Sequence, residues 1–61
     1  MATYREVNSE NASKVKKGAL IMSNGKAGKV IYKDVKESFG FILYKFLLDN
    51  METIKIVKST L

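Results

Sequence analysis

Asp34-Val35-Lys36-Glu37-Ser38-Phe39-Gly40-Phe41-Ile42-Leu43-Tyr44-Lys45-Phe46-Leu47-Leu48-Asp49-Asn50 is the stretch on which the fold of this chain turns. It supports two readings. As a helix over 35–49, Asp34 and Glu37 form a capping box, and Phe39, Ile42, Leu43, Phe46 and Leu47 recur at helical spacing. Asn50 then closes the end. As a strand from Phe39 to Leu48, one face carries Phe39, Phe41, Leu43 and Leu47, and the other Ile42, Tyr44, Phe46 and Leu48. Gly40 inside a helix costs about 1 kcal/mol, aromatic residues suit a pleated surface, and Asp49-Asn50 reads as a turn between two apolar runs. The strand is the preferred reading.

Either side of this stretch the pattern is that of short strands. Thr53-Ile54-Lys55-Ile56-Val57 places Ile54 and Ile56 on one face. Lys29-Val30-Ile31-Tyr32-Lys33 is β-branched and aromatic. Ala19-Leu20-Ile21-Met22 ends at Ser23-Asn24-Gly25, a dipeptide turn signal in which both residues tolerate positive φ. Gly28, following so soon, suggests a longer loop or a bulge. Thr3 to Val7 is a short strand anchored by Tyr4, and residues 8–17 form a polar loop or a single helical turn. The expectation is one all-β domain over 1–61, with 1–13 a peripheral N-terminal segment. The alternative is an α+β chain of ββαβ order.

Val15-Lys16-Lys17-Gly18-Ala19-Leu20-Ile21, then Gly25-Lys26-Ala27-Gly28-Lys29-Val30, then the hairpin to Tyr44-Lys45-Phe46, the turn at Asp49-Asn50 and Ile54-Lys55-Ile56-Val57 together resemble the SH3-like small barrels of the KOW and Tudor kind. The resemblance covers residues 14–61. It implies a small barrel of four to five antiparallel strands and a non-catalytic adapter that binds nucleic acid, a nucleoprotein machine or a peptide. It further implies a contact loop at Ser23 to Lys29, and a Tudor-like aromatic rim from Tyr32, Phe41 and Tyr44.

Composition narrows function. The 61 residues contain no histidine and no cysteine, which removes disulfides, thiolate metal sites and the commonest general base. A chain of this length buries only about 60% of its unfolded surface. Extra stability must come from a dense core, from self-association as a homodimer, or from a bound partner. No cofactor is expected. Asp34, Glu37, Asp49 and Glu52 lie near lysines and turns rather than as a pair suited to acid–base work. Gly25-Lys26-Ala27-Gly28-Lys29 lacks the spacing and the hydroxyl residue of a phosphate-binding loop. There is no signal-peptide pattern and no run able to span a bilayer, so a cytoplasmic protein without membrane contact is expected.

The net charge is +5, and residues 14–33 carry six lysines, Lys14, Lys16, Lys17, Lys26, Lys29 and Lys33, with no acid. The rest of the chain sums to −1. Such concentration points to an anionic partner. Ten lysines against the single Arg5 favour point-charge contact with phosphate over bidentate reading of bases. Nucleic acid or a nucleoprotein, contacted electrostatically and without sequence preference, is therefore the first expectation. The second is a protein-interaction module, such as a small virus-encoded regulator of a larger cellular protein, because a strand at 39–48 has two apolar faces and only one can line the core.

Overall fold

The computed structural model describes residues 3–61; the first two residues of the N-terminal segment lie outside the described residues. Strands β1 (Thr3–Tyr4), β2 (Leu20–Ser23), β3 (Lys26–Ser38), β4 (Phe41–Leu48) and β5 (Thr53–Ser59), with a short 3-10 turn at Ala12–Lys14, make up the regular structure. They form one sheet in the order β1-β2-β3-β4-β5. The chain is all-β, and the sheet is open, with β1 and β5 at its edges. The β1–β2 pairing is parallel, unlike the antiparallel pairing expected throughout; the other three pairings are antiparallel.

The alternative helix at 35–49 is overturned. Gly40, the residue a helix would tolerate least, sits at φ +92° in the tight connection between Ser38 and Phe41, which are paired across β3 and β4. Asp34 and Glu37 belong to β3, opposite Lys45 and Ile42. The strand expected to start at Phe39 starts at Phe41, and the preceding polar residues lengthen β3 to 13 residues. A strand that long serves two partners. Its first part pairs with β2 from Lys26 to Lys29. The register slips between Val30 and Tyr32, leaving Ile31 as a bulge that bends the strand, and the remainder pairs with β4.

The turns follow local chemistry. Asn24 (φ +53°) and Gly25 (φ +76°) are both left-handed, and Ser23 faces Lys26, so Asn-Gly forms a two-residue hairpin loop. Gly28 does not lengthen that loop. It lies within β3, where a Cβ would stand 3.1 Å from Leu48 Cβ and 3.0 Å from Asp49 Oδ1. The β4–β5 connection is clamped onto this point. Asp49 donates its backbone N–H to Lys29 O at 2.9 Å, and Asn50 Nδ2 donates to Ala27 O at 2.9 Å.

The core lies on one face of the sheet. Val30, Phe46 and Leu48 are fully enclosed, with Ile21, Tyr44 and Ile54 beside them. Each such side chain contributes about 1.5–3 kcal/mol by leaving water. The cover is the segment before β2. Val7, Ala12, Val15 and Ala19 are buried against the strands, so residues 3–13, expected to be peripheral, supply part of the core. Two asparagines hold this cover in shape. Asn8 Oδ1 accepts the N–H of Glu10 at 2.9 Å and of Asn11 at 3.1 Å. Asn11 Oδ1 accepts the N–H of Asn8 at 2.7 Å, and its Nδ2 donates to Glu6 O at 3.0 Å.

Candidate nucleic-acid interface

The 3-10 turn carries Lys14 out from its buried neighbours Ala12 and Val15. The chain then reverses at Lys16-Lys17-Gly18-Ala19, where Ala19 N–H donates to Lys16 O at 3.0 Å and Gly18 takes φ +97°. Glycine supplies that angle without steric cost, and the reversal leaves both lysine side chains exposed. Gly18 N–H donates to Val30 O at 2.8 Å, tying the turn to β3. Lys29, beside Val30 and opposite Leu20, points away from the core.

These pieces enclose an open depression of about 590 Å³ lined by Tyr4, Lys14, Lys16, Lys17, Gly18, Ala19 and Lys29. Four of the six lysines of residues 14–33 thus line one groove, three from the stretch 14–17 and Lys29 from β3. All four are exposed. Four positive charges around one depression, with no acidic residue among its lining, make it locally positive.

The other two lysines are placed elsewhere. Lys26 donates from Nζ to Thr53 O at 3.1 Å, bracing the far end of the β2–β3 hairpin. Lys33 is half-buried on the core face opposite Phe46 and donates from Nζ to Ser13 O at 3.3 Å. Each amine gives one hydrogen bond to a backbone carbonyl, and neither residue lines the groove. The expected contact loop at Ser23 to Lys29 therefore contributes only Lys29 to it.

The expected rim of Tyr32, Phe41 and Tyr44 is not assembled. Tyr44 is only 6% exposed and belongs to the core. Tyr32 and Phe41 share the opposite, uncovered face, but Tyr32 pairs with Leu47 and Phe41 with Ser38, which puts them about 20 Å apart along β4. The aromatic residue that does meet the lysines is Tyr4, whose hydroxyl donates a long hydrogen bond to Lys14 O at 3.4 Å. Its sequence neighbourhood signals only a strand; the parallel pairing of β1 with β2 is what brings it to the groove.

Among the described residues no group of three His, Cys, Asp or Glu side chains is positioned to hold a metal ion. No helix there is long and apolar enough to cross a membrane. The chain matches no family model, no curated protein and no solved structure.

Proposed function

We propose that this protein is a non-catalytic binding module of the cytoplasm that holds the phosphate backbone of a nucleic acid, free or within a nucleoprotein, in the groove lined by Lys14, Lys16, Lys17 and Lys29. The observation that carries the reading is the meeting of Lys29 of β3 with Lys14, Lys16 and Lys17 of the covering segment around one depression that Gly18 and Ala19 also line. Lysine is a flexible point charge suited to phosphate. Contacts of this type fix affinity and position but carry no sequence information, so binding is insensitive to sequence and steeply sensitive to salt.

The test is a fluorescence-anisotropy titration of labelled oligonucleotides at 50 and 200 mM salt, with the wild type and a Lys16→Gln/Lys17→Gln double variant. The reading requires binding at low salt that weakens sharply at the higher salt, and a weaker, less salt-dependent double variant. Absence of any binding by the wild type at 50 mM salt removes it.

A second reading, a protein-interaction module, rests on a different observation. At the β3–β4 turn Phe39 is 94% exposed, and beside it Leu61 is 90% exposed and held near Gly40 by a hydrogen bond from Thr60 N–H to Gly40 O at 3.0 Å. A pull-down from nuclease-treated lysate that retains one stoichiometric protein in a Phe39-dependent manner favours this reading.

A further inference from the structure

The face of β3-β4-β5 turned away from the core has no cover within the described residues, and its rows are set by the strand register. Tyr32 lies beside Leu47, which lies beside Thr53; Asp34 beside Lys45, beside Lys55; and Lys36 beside Leu43, beside Val57. Successive rows are about 7 Å apart. The face thus sets a charged row, Lys45 and Lys55 with Asp34, between Leu47 and Leu43 of β4, with Tyr32 at the β3 end of the first row and Lys36 at the β3 end of the third. Tyr32 is 59% exposed at one end of this pattern.

Lys45 and Lys55 are directly opposed across β4 and β5. Like charges at such positions cost stability, and Asp34 offers a single carboxylate against the three lysines of the face. A second copy of the chain would bring more lysines into the same space, so self-association through this face is disfavoured. The charge calls for an anion, and the flanking Tyr32, Leu47, Leu43 and Val57 call for flat apolar groups on either side of it. A single-stranded nucleic acid presents bases and phosphates in that alternation. A duplex does not, because its base faces are stacked on one another and hidden. Of the groove's lysines, Lys29 lies nearest this face in sequence, three residues before Tyr32 on β3 and about 10 Å from it along the strand.

We infer that the uncovered face of β3-β4-β5 binds single-stranded nucleic acid, with Tyr32 stacking on a base and the Lys45–Lys55 pair holding a phosphate. This inference rests on the phosphate-binding reading of the groove and adds to it a preference for unpaired strands. Stacking on an exposed ring is tolerant of base identity, consistent with the scarcity of groups suited to base reading.

The experiment is an anisotropy titration at 50 mM salt of a labelled 12-nucleotide oligothymidylate and of a 12-base-pair duplex. The proteins are the wild type and the variants Tyr32→Ala, Tyr32→Phe and Lys55→Glu. The wild type should favour the single strand at least about tenfold. Tyr32→Ala should weaken single-strand binding about 5- to 100-fold with little effect on the duplex, and Tyr32→Phe should recover most of that loss. Lys55→Glu turns the opposed lysines into an ion pair. It should therefore weaken single-strand binding at least about tenfold while raising the thermal midpoint by about 2–5 °C, an outcome that misfolding cannot mimic. Equal affinity for single strand and duplex, or full affinity in Tyr32→Ala, overturns the inference and leaves the groove reading standing. Competition by polyglutamate as effective as that by unlabelled oligothymidylate also overturns it, since the face would then read charge alone. A wild type that binds neither oligonucleotide fails the groove reading and the inference with it.

Discussion

Gly28 is the residue on which three strands converge. Its backbone lies in β3, it faces Ile21 of β2, and the end of β4 closes over it at Leu48 and Asp49. Gly28→Ala forces a methyl group to within 3.0 Å of Asp49 Oδ1 and 3.1 Å of Leu48 Cβ. The backbone of Leu48 and Asp49 is held there by hydrogen bonds to Glu52 and Lys29, so the strain is not easily relieved. The expected cost is about 1–3 kcal/mol, read as a lower urea midpoint with an unchanged slope. The two tyrosines of adjacent strands give the complementary contrast. Tyr44→Ala empties a core position and should cost about 3–5 kcal/mol, whereas Tyr32→Ala, on the open face, should cost less than about 1 kcal/mol. Thermal melts of the pair check this directly. The resemblance to Tudor-like barrels implied that both tyrosines belong to one contact rim. Alternation along β4 already separates Tyr44 from Phe41, and the register between β3 and β4 separates it from Tyr32.

Among elements, the segment before β2 contributes most beyond its regular structure. It holds almost no ladder hydrogen bonds, yet it buries Val7, Ala12 and Val15 and delivers Tyr4 and Lys14 to the groove. Asn8 and Asn11 supply the side-chain hydrogen bonds that replace a ladder, the role for which asparagine is suited in turns. Asn11→Ala removes the acceptor for Asn8 N–H and the donor to Glu6 O. At about 1 kcal/mol each, the loss should open this segment in preference to the sheet. Amide exchange at Val7, Ala12 and Val15 should quicken about 10- to 30-fold while the amides of β4 keep their protection. The composition of residues 8–17 announced a loop. That the loop is a lid over the core was not visible, because only the small apolar residues Val7, Ala12 and Val15, spaced irregularly, mark it. In β3 the β-branched and aromatic run 29–33 announced a strand. The continuation through Asp34 to Ser38 was masked by polar residues that a solvent-exposed hairpin arm accommodates.

For the whole molecule the electrostatic prediction is the most general. If four lysines each neutralise one phosphate of a single strand, the logarithm of affinity should fall against the logarithm of salt with a slope of about −3. Between 50 and 200 mM salt that is a loss of about fiftyfold. Removing two charges in Lys16→Gln/Lys17→Gln should flatten the slope by about 1.4. The acid-free run of lysines from 14 to 33 was fully legible as a source of positive charge, and so was the lack of histidine and cysteine chemistry. Alternating apolar residues, the Asn-Gly turn and the cost of Gly40 in a helix pointed to the all-β class, because a two-residue period and backbone preference are local properties that each segment carries by itself. Lys14, Lys16 and Lys17 are neighbours in the chain, but that Lys29 joins them while Lys26 and Lys33 do not was decided by the tertiary structure. The bulge at Ile31 bends β3 and the turn at Lys16–Ala19 is tied to Val30. Together these bring Lys14, Lys16, Lys17 and Lys29 to one groove and send Lys26 and Lys33 to backbone carbonyls. Such proximity depends on strand register and on the path of the covering segment, and both are set by contacts between residues far apart in the chain.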